Sequence, residues 1–460
     1  MTKASSITQK YFDKAIKILR FGVLAILVIA PFYAPLVIWL SSGVHHLDFL
    51  RIWKEIGLVF LLLVILFLLF DYQRLFRNLR HRPLLILSAI YIFFLLANGL
   101  WDLFYRPISN DAVIYGLLTD IRPIAMLAVA AVTFAISRQQ RFGAFPWQKI
   151  VMIPAALVIG FGLLQMTVLP KDVLKHVGYN QSTVAPYQTV DNQPNIVRIQ
   201  STTRGPNPLG AYLIVVIVLM VELLAKARDR RQRLYWGLAI AASLAVLFGT
   251  YSRSAQVGLV LSLAALALIH YRQFWHRHLI PIGLLIAAVI GIGAIFRHSY
   301  LIQNAIFHTS NKSSSPMSSN AERTEAVKKG LSDVWHEPLG EGIGTAGPAS
   351  LRNKQAEPRI AENYFLQIGQ EVGIIGVLLF AAINIRAAVL LWRQRQNLLA
   401  RVLLASLVGL TFVNLLSHAW TDDTLAYIWW GLTGLALAGF LSSSPRTKSP
   451  GGRVKATAPA

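Results

Sequence analysis

The chain has 460 residues, 55% of them hydrophobic and only 14% charged, with a positive mean hydropathy. Apolar runs of roughly 18 or more residues recur, long enough to cross a bilayer core of ~30 Å, which excludes an ordinary soluble protein and indicates one integrated polytopic membrane domain. The net charge of +23 suggests nucleic acid, but the basic residues cluster in short stretches between apolar runs, as topology determinants do; having no cysteine excludes disulfides, thiolate catalysis and Cys-ligated metals.

In chain order, a basic start leads into an apolar run at 21–40. It is long for a signal peptide and no small-residue cleavage site follows, so it reads as an uncleaved first helix. Further spans are predicted at 55–70, 83–101, 114–136, 150–169, 208–225, 235–250, 254–270, 280–297, 363–391, 402–417 and 425–442. Twelve spans place both termini on one side, and the positive-inside rule makes that side cytoplasmic. Arg74, Arg77, Arg80 and Arg82, then Lys226 to Arg233, then Arg386 to Arg401, and then Arg446 to Lys455 all fall inside. The short outer segments carry few basic residues: Arg51 and Lys54, Arg106, and Arg253.

The expected architecture is therefore an all-α membrane domain over 1–442. Two long outer loops, 170–207 and 298–360, interrupt it, and a disordered basic tail follows at 443–460. Within the second loop, 310–320 is rich in Ser and Asn. Ala321, Ala326, Leu331 and Trp335 then recur at helical spacing, and glycines 340, 342 and 344 break the pattern.

No phosphate-binding glycine loop, HExxH or GxSxG is present, and GEGIGTAG (340–347) follows no strand, so it lacks the context of a nucleotide fingerprint. Asp422 and Asp423 lack a third ligand and read as a solvated turn. The arginines are more informative. Arg198 and Arg204 precede the sixth span, and Arg253 sits at the turn between spans seven and eight. Arg253 is either functional or snorkels to the interface. Asp120 and Arg122, inside span four, pair with each other or with neighbours.

The stretch AENYFLQIGQEVGIIG (361–376) opens a span although it carries Glu362, Glu371 and three glycines. On a helix Asn363, Gln367, Gln370 and Glu371 share a face that must meet protein or water. Glu362, Gly369, Gly373 and Gly376 share another, which predicts a close helix-packing seam. Glu362 would stand at the outer mouth, where its bland reading is a carboxylate complementing the helix dipole.

Four segments together resemble the O-antigen ligases and related bacterial polysaccharide polymerases: SRSAQVGLVLSL (252–263), the 323–347 segment from Arg323 to the glycine-rich turn, ENYFLQIGQEVGIIG (362–376), and RIQSTTRGPNPLGAYL (198–213). The third is similar to a family block of His, then Asn, Ser or Gln, then nine residues, Gly, two residues, Gly, matched here by Asn363, Gly373 and Gly376. The resemblance implies transfer or polymerisation of an undecaprenyl-pyrophosphate-linked glycan onto a glycan or lipid-glycan acceptor hydroxyl. This would occur at the outer face of the bacterial cytoplasmic membrane, among membrane lipids, without cofactor, metal or nucleic acid. It implies that Arg253, Arg198 and Arg204 hold the pyrophosphate and that the position of Glu362 supplies the base, with Asn363, Asp120 and Arg122 in support. The family has histidine where this chain has Glu362; a positioned carboxylate can also accept a hydroxyl proton, and the change moves the expectation toward a polymerase or a ligase of another surface glycan. A transporter of ions or small solutes using Asp120, Arg122 and Glu371 is the alternative, although no repeated halves are visible.

Overall fold

The computed structural model describes residues 3–43, 52–71, 82–139, 142–180, 184–190, 193–270, 319–360 and 362–442. The expected span 280–297, most of the Ser/Asn-rich piece and the tail 443–460 lie outside the described residues. All other expected spans are helices: α1 (Lys3–Ile29) with α2 (Tyr33–Gly43), α3 (Trp53–Asp71), α4 (Pro83–Tyr105), α5 (Asn110–Gln139), α6 (Trp147–Thr167), α7 (Pro206–Ala225), α8 (Arg230–Gly249) and α9 (Arg253–His270). After the gap come α10 (Ser319–His336), the short α11 (Gly347–Ser350), α12 (Tyr364–Arg393), α13 (Leu398–Leu415) and α14 (Asp423–Ser442). The only sheet among the described residues is a two-stranded antiparallel ribbon, β1 (Gln188–Val190) with β2 (Gln193–Arg198). Nine helices of the described residues are long and apolar enough to cross a membrane.

Local chemistry sets the helix starts. Pro83 and Pro206 occupy first-turn positions where a missing N–H is harmless. Asp229 accepts from the Gln232 N–H (2.7 Å), and Asn397 from that of Leu399 (2.9 Å). The first span is not continuous. Pro31 lies in a 3-10 turn over Ala30–Phe32 that separates α1 from α2. Carbonyls at this break find side-chain donors: Thr424 Oγ1 bonds the Ala30 oxygen (3.1 Å) and Thr202 Oγ1 that of Pro31 (2.8 Å).

The buried α14 packs along α5, and glycines permit the approach: a Cβ on Gly434 would lie 2.7 Å from the Leu127 oxygen. Helices α9 and α13 are closer still, since a Cβ on Gly409 would fall 1.9 Å from the Gly258 oxygen. The seam expected at Gly369, Gly373 and Gly376 is different in kind. Gly369 faces Val334 of α10, while Gly376 faces its own helix. Gly373 has φ +71 and presses on the backbone of Pro338 and Leu339.

That contact marks a break in α12. Val372 and Gly373 leave helical geometry, so the carbonyls of Gln370 and Glu371 are available to another segment. The glycine-rich loop takes them: Glu341 N–H bonds the Gln370 oxygen (2.8 Å), Gly342 N–H that of Glu371 (2.9 Å), and Ile374 N–H the Pro338 oxygen (2.9 Å). The loop also donates to two buried carboxylates, Ile343 N–H to Asp102 (2.7 Å) and Gly344 N–H to Glu371 (2.9 Å). The polar face expected on α12 does point into protein, with Gln367, Gln370 and Glu371 buried.

Most of the segment 199–205 is likewise buried between helices, Arg204 being the exposed exception. Gln200, Ser201 and Thr203 are inaccessible, and Ser201 Oγ donates to the Val158 carbonyl within α6 (2.7 Å). By contrast the apolar stripe of α10 faces outward: Trp335 is 80% exposed and Leu331 63%.

Candidate functional site

The starts of α5, α9 and α12 and the end of α13 meet at one end of the bundle beside α2, with the 199–205 and 340–360 segments among them. At its centre is a cavity of about 180 Å³, lined by Lys54, Tyr115, Arg122, Arg204 and Arg352 together with Glu55 and Asp423. Tyr115 is held from two sides: Arg204 Nη1 lies 3.2 Å from its hydroxyl, and the Arg352 guanidinium sits 4.5 Å from its ring centroid.

The cavity floor is an ion network. Arg122 reaches Glu55 at 2.7 Å, pairs with Asp423, and donates to the Thr421 carbonyl (3.0 Å). Lys54 bridges Glu55 (3.2 Å) and Asp423 (3.4 Å) and lies 3.6 Å above the Tyr33 ring. Arg122 therefore pairs with other elements rather than with Asp120, which faces Glu371 across α5 and α12. The solvated turn expected at Asp422 and Asp423 is corrected: both are buried, because cations from α3 and α5 compensate the charge. Asp422, with burial as the main cause and Asp423 beside it, has its carboxyl pushed up to about 6.

Arg204 of the 199–205 segment is exposed and lines the cavity. Arg198 is held at the end of β2, its guanidinium donating to the Thr250 carbonyl (2.9 Å) and to Asn207 (2.6 Å). It does not line the cavity; it ties the ribbon to the turn that precedes Arg253. Arg253 opens α9, half-buried. Gly258 of α9 faces Gly409 and Val413 of the antiparallel α13, so Arg253, about 7.5 Å further along the helix, comes to the end where α13 stops.

Asn363 is the N-cap of α12, accepting from Phe365 (3.0 Å) and Leu366 (3.1 Å), and its amide donates to the Leu415 carbonyl (3.1 Å). Glu362, immediately before it, has φ +51 and is half-buried. Beside it stands His418, which the sequence reading passed over. The side chains of Glu362 and Arg204 both act on this ring, whose pKa burial lowers most; Arg204 lowers it further and Glu362 opposes. Arg204 thus links the cationic cavity to a carboxylate–imidazole neighbourhood. His418 could have been noticed as the only histidine in the short segment between the last two spans, where it stands just before the two aspartates.

These features define an all-helical polytopic membrane protein that gathers cations, a carboxylate and a histidine at one end. Residues 238–381 match the O-antigen ligase family, which supports the O-antigen ligase-like superfamily as the one this chain is similar to. A comparison with curated proteins finds no match. The matched stretch contains Arg253, the glycine-rich loop, Glu362 and Asn363; Arg198, Arg204, Asp120, Arg122 and His418 lie outside it. The family supports a role in polysaccharide ligation or polymerisation in a bacterial membrane.

Proposed function

We propose that the chain transfers or polymerises an undecaprenyl-pyrophosphate-linked glycan onto an acceptor hydroxyl at the outer face of the cytoplasmic membrane. The observation that carries this reading is the convergence of Arg204, Arg352, Arg122 and Lys54 on one cavity, with Arg204 also beside His418 and Glu362. Planar guanidinium forks suit pyrophosphate oxygens, and fixed cations lower the energy of charge that grows as the pyrophosphate leaves. Arg204 and Arg253 contact the pyrophosphate, Arg198 positions the turn that carries Arg253, and Glu362 takes the proton of the attacking hydroxyl. Arg122 neutralises the cavity floor, Asn363 fixes the helix start behind Glu362, and Asp120 supports Glu371 beneath the loop. The outer placement is supported by the basic clusters near 82, 226–233 and 393–401, all at the opposite end of the bundle.

The test uses the purified chain in proteoliposomes with a lipid-linked glycan donor and a glycan acceptor. Glu362→Gln, Arg204→Ala and Arg253→Ala should each keep the wild-type unfolding transition and lose transfer by 100-fold or more, the order of ~10²–10⁴ expected for a positioned base or charge. Full transfer in all three sinks the reading, and solute flux without transfer would favour a transporter.

A further inference from the structure

Two hydrogen bonds stitch the start of α12 to the end of α13. Asn363 Nδ2 donates to the Leu415 carbonyl (3.1 Å) and the Tyr364 N–H to that of Ser417 (3.2 Å). Glu362 and His418 each lie one residue beyond a stitched position, within electrostatic reach of one another. His418 is also fixed from its own side, its carbonyl accepting from the Thr421 N–H (3.1 Å) and hydroxyl (2.7 Å). Yet its Nδ1 is buried and has no hydrogen-bond partner among the described residues. A histidine kept only for packing would satisfy that atom, since buried polar groups are almost always bonded. The left-handed backbone of Glu362 costs about 1–3 kcal/mol for a non-glycine residue, and such strain concentrates at functional sites.

We propose that His418 is a positioning residue for Glu362: it orients the carboxylate and receives from it the proton that the acceptor hydroxyl releases. This rests on the transfer reaction proposed above. In the step, the acceptor oxygen forms the new bond to the anomeric carbon. The bond from that carbon to the pyrophosphate oxygen breaks, and its electron pair leaves on the pyrophosphate, toward Arg204. The hydroxyl proton passes to the Glu362 carboxylate and on to the imidazole, which returns it to water. The ring can accept it at neutral pH because burial and Arg204 hold its pKa below the ordinary 6.5 against the pull of Glu362. The function is present above that pKa and lost as falling pH protonates the ring.

The experiment measures kcat, donor KM and pH dependence for the full chain, His418→Gln, His418→Asn and Glu362→Gln in proteoliposomes. The expected result is a kcat lowered by about 10–100-fold in both His418 variants with KM unchanged. The loss of wild-type activity on acidification, at a pH below the ordinary histidine range, should be missing from both. Wild-type kcat and pH profile in His418→Gln, with Glu362→Gln inactive, overturns the proposal alone. Loss of the unfolding transition in both His418 variants makes the residue a packing element and also overturns it. Activity retained by Glu362→Gln and Arg204→Ala overturns the reaction itself.

A different observation carries a second inference at the opposite end of the bundle. There a cavity of about 220 Å³ is lined by Arg20, Arg138, Phe142, Phe145 and Trp147, and no carboxylate among the described residues lines it. Arg20 donates to the Gly143 carbonyl (2.8 Å) and lies over the rings of Phe142 (5.6 Å) and Phe145 (6.0 Å). Two guanidiniums in one apolar-walled recess favour an anion with several oxygens. We propose that this recess binds the phosphate of an anionic phospholipid headgroup. Thermal unfolding is compared in nanodiscs of phosphatidylcholine with and without phosphatidylglycerol, and with inorganic phosphate, for wild type, Arg138→Gln and Arg20→Gln/Arg138→Gln. Phosphatidylglycerol should raise the wild-type midpoint by about 3–5 °C and the variants by less than half of that. An equal rise in all three overturns the site, and an equal rise with inorganic phosphate overturns the lipid as its occupant.

Discussion

The Gly344 backbone N–H donates to Glu371 Oε1 at 2.9 Å, so a carboxyl group buried within a membrane helix takes a hydrogen bond from a loop that enters from the bundle end. Glu371→Ala removes the acceptor and strands that N–H, at a cost of about 1–3 kcal/mol. Glu371→Gln keeps an acceptor oxygen and should cost less than half as much. Thermal unfolding in detergent distinguishes the two; equal losses would mean the loop does not depend on this bond.

The glycines separate into two classes. A Cβ at Gly373 would meet the Pro338 oxygen at 2.3 Å in a backbone of φ +71, and one at Gly409 would meet the Gly258 oxygen at 1.9 Å. Neither neighbour is a flexible side-chain end. Gly373→Ala and Gly409→Ala should abolish the folded, monodisperse protein. Nothing lies within 4 Å of a Cβ at Gly160 or Gly237, both inside helices, so alanine there should be neutral or stabilise by up to ~1 kcal/mol. Size-exclusion profiles of the four variants provide the check.

Asp422 sets a pH dependence. Its carboxyl moves from an ordinary 3.8 up to about 6 in the folded protein, mainly through burial and then through Asp423. Below both values it is protonated in either state. Between them only the folded state holds the proton, so stability falls as pH rises through this window, by at most roughly 3 kcal/mol, and is level above it. Asp422→Asn cannot ionise and keeps an oxygen for the Leu425 N–H (3.2 Å). Its unfolding midpoint should exceed that of wild type at pH 7 and approach it at pH 4; a constant offset would contradict the assignment.

Arg122 holds Glu55 and Asp423 together in the interior. Arg122→Ala leaves two carboxylates with only Lys54 between them, and breaking a buried pair in this way costs about 3–5 kcal/mol. Arg122→Lys keeps the charge without the fork and should lose less. The fraction of protein recovered folded from membranes measures both.

Hydropathy located the helices because each span is satisfied within itself, so a run such as 206–225 can be read without its neighbours. It failed where backbone or charge is satisfied from a distance. Val372 and Gly373 look like helix interior, and their break depends on Pro338 and the glycine-rich loop. Pro31 interrupts the first span, yet the donors that make this tolerable, Thr202 and Thr424, come from far along the chain. Asp422 and Asp423 looked solvated because Lys54 and Arg122 are 300 or more residues away. Among the expected site residues, Arg204 and Glu362 occupy one neighbourhood and Arg253 the same end. The cavity partners Arg352 and Tyr115 carry no local signal, and only packing brings them there; His418 offers no more than its place before the two aspartates.

The break in α12 has a consequence for engineering. Because residues 338–344 take carbonyls of α12 and give N–H groups to carboxylates of α4 and α12, the loop and these two helices form a single structural unit. A chimera that exchanged the loop alone would orphan bonds on both sides of the graft. Residues 352–354 belong to the same unit, since the Arg352 guanidinium sits over the Tyr115 ring, Asn353 Oδ1 accepts from the Ser109 N–H (3.2 Å) and the Lys354 N–H donates to the Ser109 hydroxyl (2.8 Å).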